Sequence, residues 1–237
     1  MILAILQARM SSTRLPGKVL RPILGRPMLG WQIDRIKRSR TIDRLVVATS
    51  REASDDAIEG FCDEHGVLCY RGALHDVLAR FYGAVEAFGP AEHVIRLTGD
   101  CPLIDWTIID AAVALQKREG SDLAGNGINR TFPDGLDVEV IAFSALQRAY
   151  RQATDPGHRE HVTQYIYHHP EQFRLAHLTQ APDLGALRWT VDTTADLEMV
   201  EKVFAGLAAL DNNFLQQDVL RFLDQHPEIA AINAPAA

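Results

Sequence analysis

At 237 residues, 47% hydrophobic and 23% charged, the chain has ordinary globular composition with enough apolar content for a sizeable core, and no apolar run approaches the ~20 residues of a bilayer span. Its three cysteines, Cys62, Cys69 and Cys101, have no CxxC spacing, which excludes a disulfide framework or thiolate zinc site and fits a reducing, cytoplasmic setting. The net charge of −7 conceals ten Lys/Arg against two Asp/Glu in residues 1–44 and 14 against 29 thereafter, so there is no long cationic stripe for nucleic acid but there is room for a compact anion site near the start.

In chain order, Ile2 to Leu6 predicts a buried strand; it lacks the basic n-region and cleavage site of a signal peptide. It runs into the loop Gln7 to Lys18, which carries Arg9, Arg14 and Lys18, small hydroxyl residues Ser11 to Thr13, and the turn Pro16-Gly17. Arg offers forked hydrogen bonds to phosphate oxygens and Lys a compact charge, so the loop suits a polyphosphate. Pro27 fits the first turn of a helix reaching about Arg38. Leu45 to Thr49 reads as a strand, Ser54 as the cap of a helix from Asp55-Asp56 to Gly66, and Val67 to Tyr70 as a shorter strand. Asp76 opens a helix that Gly89-Pro90 ends, His93 to Thr98 is a strand, and Asp105 opens a helix to about Glu119. Strands alternating with helices of this length make βαβ units and a mostly parallel sheet with helices on both faces.

After residue 120 the rhythm changes. Thr131 to Leu136 is a turn cluster, Asp137 to Ile141 an alternating strand, and Ser144 a cap for a helix through Ala153. A break at Thr154 to Gly157 precedes a helix over His158 to His169. Phe173 to Thr179 and Leu187 to Val191 read as strands, Ala195 to Leu210 as an amphipathic helix, and Ala230 to Ala237 as a frayed tail. With no repeat or linker, the chain divides into a nucleotide-binding half (1–120), an acceptor half (121–215), and a C-terminal helix and tail (216–237) of one domain.

Asp100 falls just past the carboxyl end of a strand, before Pro102, at the edge where open α/β sheets bind ligands. Asp192 ends another apolar run, just before a helix. Two such carboxylates facing a cationic loop can hold Mg²⁺ against phosphate oxygens. Asp196 lies in a first helical turn, where the dipole alone accounts for it. Asp134, Asp137 and Glu139 lie on a turn and strand, and Arg159, His161 and Gln164 at a helix start. Arg159 is a cation that could pair a ligand carboxylate, and Asp137 or Glu139 could accept ligand hydroxyls; the alternative is a hairpin of solvated acids and an N-terminal helical turn. Cys101 lacks an evident paired His and reads as a buried thiol. His168-His169 reads as a helix-end feature, because adjacent helical positions face different ways.

Ala8-Arg9-x-x-Ser12-Thr13-Arg14-Leu15-Pro16-Gly17-Lys18-x-Leu20, followed by Gly25-x-Pro27-Met28, closely resembles the opening of the cytidylyltransferases that activate acidic sugars. Arg96-x-Thr-Gly-Asp-Cys-Pro-Leu, Pro133-Asp-Gly-Leu-Asp-Val-Glu139, Arg159-Glu-His-Val-Thr163 and Arg188-x-Thr-Val-Asp-Thr193 resemble their spore-coat polysaccharide biosynthesis branch. The resemblance runs to about residue 205. It implies a Rossmann-like, GT-A-like nucleotidyltransferase fold with a smaller acceptor or dimerisation lobe, usually homodimeric, using CTP and Mg²⁺. Arg9, Arg14 and Lys18 would hold the triphosphate, with Arg71 and Arg80 as further nucleotide contacts and the main chain of Leu6 and Ala8 near the cytosine. Arg14, Lys18 and Asp100 would be catalytic, and Asp100 and Asp192 would hold the metal. The octulosonate enzymes carry an acid after the Gly-Asp, whereas here Cys101 follows, so the metal shell or acceptor contacts differ. The activity implied is transfer of CMP to an acidic sugar with release of pyrophosphate, for surface polysaccharide or glycoconjugate synthesis. Two other readings remain: a metal-dependent glycosyltransferase of the same fold using a nucleotide sugar, and a non-catalytic nucleotide-sensing module.

Overall fold

Five consecutive residues of strand β1 (Ile2–Gln7) are buried, as a strand covered on both faces must be. In the computed structural model, which describes residues 1–234, β1 is accordingly central. It pairs in parallel with β4 (Arg44–Ser50) on one side and β6 (His93–Thr98) on the other. Beyond β4 lies β5 (Leu68–Gly72), also parallel. Beyond β6, β8 (Glu139–Ala142) runs antiparallel, followed by β7 (Leu123–Gly125) and β9 (Leu175–His177). The seven-stranded order is β5-β4-β1-β6-β8-β7-β9, so both halves of the chain contribute to one sheet. A separate hairpin pairs β2 (Pro22–Ile23) with β3 (Arg26–Pro27).

Alternation along β1 feeds two cores. Ile2, Ala4 and Leu6 pack with helices α1 (Met28–Ile36), α2 (Asp56–Glu64), α4 (Trp106–Glu119), α8 (Thr194–Gly206) and α9 (Gln216–Gln225). Leu3 and Ile5 pack with α3 (Val77–Phe88), α5 (Phe143–Gln152) and α7 (Gln164–Tyr167) on the opposite face. Short helices α6 (Pro156–Glu160) and α10 (Pro227–Ala230) complete the set. The chain steps outward from β1 to β4 and β5, then jumps back across β1 to β6. Strand order therefore reverses at β1 and β6, and a crevice opens beyond their carboxyl ends. The Gln7 to Lys18 loop and Gly99-Asp100 both leave the sheet there. Among the described residues no helix is long and apolar enough to cross a membrane.

Several local expectations are corrected. Pro27 is the residue before α1, held in the hairpin with Pro22. Ser54 caps nothing; it sits in a 3-10 turn, and α2 begins after Asp55. The Asp55 carboxylate instead accepts from the N–H groups of Met10 (2.7 Å) and Ser50 (3.0 Å), tying the first loop to β4. Ser144 lies inside α5, which starts at Phe143 without a side-chain cap, and β8 begins two residues later than the alternation suggested. The helix over His158 to His169 breaks into α6 and α7, with Val162 at φ 52° between them. Phe173 to Thr179 contributes only the three residues of β9, and α8 stops at Gly206, before a 3-10 turn over Ala208–Leu210. Leu187 to Val191 is a strap, joined to the turn before β8 by one bridge between Asp134 and Arg188. The start of the tail is anchored: Ile232 packs on the first core and Asn233 donates to Asp196 Oδ1 (2.9 Å) and Arg188 O (3.0 Å). The rest of the predicted frayed segment, 235–237, lies outside the described residues.

Candidate active site

The first loop folds back on itself: the N–H groups of Ser12 and Gly17 both donate to Met10 O, at 3.0 and 2.9 Å. Gly17 has φ 70°, a left-handed conformation that favours glycine, and it turns Lys18 inward under the loop. Opposite, the Gly99 N–H donates to Gln7 O at 2.8 Å, holding the end of β6 against the end of β1. The Val191 N–H donates to Asp100 O (2.8 Å), and Thr190 Oγ1 does so at 3.3 Å. Backbone contacts thus bring Asp100, Asp192 and Lys18 together from three distant segments.

Lys18 Nζ donates to Asp100 Oδ2 (3.0 Å), Asp192 Oδ1 (2.8 Å) and Val191 O (2.8 Å). Burial opposes its charge, but the two carboxylates outweigh burial and raise its pKa above 10.5. Burial likewise opposes the Asp192 charge, and the hydrogen bonds from Lys18 and Arg188 outweigh it, keeping that carboxyl below its ordinary range. The other oxygen of Asp192 takes Arg14 Nη2 (2.8 Å) and Arg188 Nη2 (3.0 Å). Asp196 closes a capping box with Thr193, accepts the Asp192 N–H (2.9 Å) and anchors Arg188 (3.0 Å). Its first-turn placement is as read, and it also orients Asp192.

A cavity of about 310 Å³ opens beside this cluster, lined by Ala8, Arg9, Arg14, Lys18, Arg80 and Asp100 among others. Arg80 is 1% exposed, yet its guanidinium makes a single hydrogen bond, to Ala73 O at 3.2 Å, and Nε has no partner among the described residues. Burial, and secondarily the charge of Arg9, push its pKa down to about 10. The Asp55 charge acts the other way, but no carboxylate forms an ion pair with Arg80 among the described residues. A buried cation so weakly compensated is costly, and an anion in the cavity would offset that cost.

A second cavity, about 370 Å³, shares Arg96, Thr98, Asp100, His161 and Asp192 with the first. Asp134, Asp137, Glu139 and Gln164, four of the expected acceptor residues, line it. Every arginine facing it is paired: Arg96 with Glu139 at 2.6 Å, and Arg130 with Asp137 at 2.7 Å and Asp134 at 3.5 Å. Burial, then the charge of Asp137, raises the Asp134 pKa. Gly135, at φ 112°, lets this turn press on the strap; a Cβ there would lie 2.6 Å from Thr190 N. Cys101 is buried and desolvation pushes its thiol pKa far up, in keeping with an inert thiol.

Three expected residues stand apart. Leu6 is wholly buried within the β1 ladders and lines neither cavity. Arg71 fastens β5 to α2 through Asp56 (2.6 Å) and Glu59 (2.8 Å). Arg159 is turned away, bound to Asp76 (2.7 Å) and the carbonyls of Tyr150 and Ala153. The sequence reading missed Arg96, Thr98, Arg130 and the role of Arg188. Arg96, Thr98 and Asp100 follow a period of two, the mark of one strand face, which was the available signal.

The donor set fits a hard divalent cation. Asp100 and Asp192 stand side by side, and among the described residues Asp100 Oδ1 receives only the weak Cys101 thiol at 3.5 Å. Among the described residues no three His, Cys, Asp or Glu side chains form a metal cluster, so phosphate oxygens and water would complete the shell.

A family model described as cytidylyltransferase matches residues 3–212. The spore coat polysaccharide biosynthesis protein SpsF of Bacillus subtilis is 35% identical over 237 residues, covering 97% of this chain and 96% of that one. A cytidylyltransferase structure from Leptospira borgpetersenii superposes with a TM-score of 0.93 at 31% identity, covering 100% and 98% of the two chains. A CMP:2-keto-3-deoxy-manno-octonic acid synthetase complexed with CTP shares the fold, with a TM-score of 0.63 at 17% identity over 86% of this chain and 98% of that one.

Proposed function

The chain belongs to the cytidylyltransferase family and is a CTP-dependent nucleotidyltransferase, and from that premise we propose that it transfers CMP to an acidic sugar of the octulosonic- or sialic-acid kind for surface glycan synthesis. The observation that carries the reading is Arg80: a buried guanidinium in no ion pair among the described residues, in the cavity that also holds Arg9, Arg14 and Lys18. That cavity joins the second one at Asp100 and Asp192, so a triphosphate in the first places its α-phosphorus beside an acceptor in the second.

Arg9, Arg14 and Arg80 bind the triphosphate oxygens, and the main chain at Ala8 faces the base. Asp100 and Asp192 would hold a divalent cation such as Mg²⁺, which would supply neutralisation of phosphate charge and a lowered pKa at the acceptor hydroxyl. The acceptor oxygen bonds to the α-phosphorus, the α–β bridging bond breaks, and pyrophosphate leaves among the arginines while the hydroxyl proton passes to solvent. Catalysis comes chiefly from placement and charge neutralisation. Arg130 takes the role first read for Arg159: it faces the acceptor cavity, and a sugar carboxylate would replace Asp137 on its guanidinium. His161 and Gln164 supply further polar contacts beside it.

The test is a pyrophosphate-release screen crossing four nucleoside triphosphates with acidic and neutral sugars. Release with CTP and a sugar acid is expected. Turnover confined to another triphosphate, or to neutral sugars, would overturn the substrate assignment.

A further inference from the structure

Lys18 is placed unlike a cation waiting for phosphate. All three of its N–H donors are engaged, by Asp100 Oδ2, Asp192 Oδ1 and Val191 O, at 2.8 to 3.0 Å. Its side chain is 9% exposed. The ammonium therefore lies between the two carboxylates, where a cation bridging them would lie. We propose that Lys18 closes the Asp100–Asp192 pair to divalent cations until a triphosphate draws its ammonium aside, so that cation and nucleotide enter together. This rests on Asp100 and Asp192 being the metal-holding pair.

The neighbours support an exchange rather than a permanent lock. Arg14 covers the other oxygen of Asp192 at 2.8 Å, and its side chain is 61% exposed. Arg14 and Lys18 both belong to the loop that lines the nucleotide cavity, and both can transfer from carboxylate to phosphate. Arg188 cannot follow, being held by Asp196 at 3.0 Å and Asp134 at 3.4 Å. Arg80 has no carboxylate to leave and draws the triphosphate in without rearrangement. Its arrival brings phosphate oxygens beside Lys18 and Arg14, and their departure frees one oxygen on each aspartate. The closure saves the empty enzyme from two half-buried carboxylates repelling each other, and it prevents a cation from occupying the pair alone.

The test is Mn²⁺ binding, followed by electron paramagnetic resonance, in nucleotide-free wild type and in Lys18→Met and Lys18→Gln. The variants are expected to bind Mn²⁺ at least about tenfold more tightly than wild type, an ordinary size for coupling between two ligands. Adding Asp192→Asn to either variant should abolish the gain. Folded variants that bind no more tightly than wild type overturn the inference. Thermal melting of wild type gives a test independent of any variant. Mn²⁺ alone should leave the midpoint unmoved, CTP in EDTA should raise it, and the two together should exceed the sum. A shift from Mn²⁺ alone as large as that seen with CTP present overturns the inference. The underlying metal assignment is separated by Asp100→Asn. If it leaves Mn²⁺ binding to the CTP complex unchanged, that assignment falls; if it removes the binding while the Lys18 variants gain nothing, only the present inference falls.

Discussion

The two cavities meet at the same pair of aspartates but treat their cations in opposite ways. In the nucleotide cavity Arg80 is buried with no acid partner, and Arg14 and Lys18 hold carboxylates they can exchange. In the proposed acceptor cavity Arg130 is committed to Asp137, and Arg96, which lines both cavities, is committed to Glu139. In the proposed reading the first is an anion site assembled ahead of its ligand. The second admits a charged ligand only by exchanging an internal pair, which favours discrimination over affinity. Unsatisfied charge thus reports what a site binds more directly than charge that is already paired.

The contrast can be broken in several places. The largest effect falls where the cavities join. Asp100→Asn should lower kcat for pyrophosphate release by on the order of 10²–10³ while leaving the fold intact, since a preorganised charge is lost at the reacting centre. Near-normal turnover would remove Asp100 from the chemistry. Next, Arg96→Met should destabilise the protein by about 3 kcal/mol in urea unfolding, because it leaves the buried Glu139 without its partner. An unchanged midpoint would mean that Thr163, which also donates to Glu139 at 3.1 Å, suffices alone.

The pH dependence follows from the junction charges. Asp55, Asp192 and Asp196 all have folded pKa values below their ordinary 3.8. Their stabilisation is present above that value and is lost as pH falls through the folded ones. Lys18 is raised, so its contribution is present below 10.5 and is lost as pH rises past its folded value. These groups should therefore make urea midpoints fall towards acid and towards alkali, and Asp192→Asn should shallow both limbs. An acid limb unaltered by that substitution would contradict the linkage. The smallest effect is at Arg159: Arg159→Ala should cost about 1 kcal/mol of stability, through a half-exposed tie to Asp76, and leave the acceptor KM unchanged. A large rise in that KM would return Arg159 to the acceptor site.

What the sequence made legible follows from how local the cause is. The parallel core strands, α3 and α4 with their Asp76 and Asp105 caps, and Asp100 at a strand end were all readable from apolar runs and capping residues. Ser54 and Ser144 failed as caps because tertiary packing set those helix starts. Leu187 to Val191 has the composition of a strand, but its backbone donors go to Asp134 and Asp100, which makes it a strap. In the site, Arg9, Arg14, Lys18 and the acids were visible as a motif. That Lys18 bridges the two aspartates depends on contacts 82 and 174 residues away in sequence. Arg159 and Arg130 are both arginines near acids, and only the fold decides which of them faces the cavity. The family resemblance named the chemistry, and family membership now sets aside the glycosyltransferase and sensing alternatives.

The central proposal, that the first cavity is an anion site with a buried cation in no ion pair, is tested most directly at Arg80. Calorimetric titration of CTP should show Arg80→Met binding about tenfold or more weakly, at a cost of roughly 1.4 kcal/mol or more, while its melting temperature equals or exceeds that of wild type because a buried unpaired charge is gone. Unchanged CTP affinity, or lower affinity accompanied by marked destabilisation, would contradict the account.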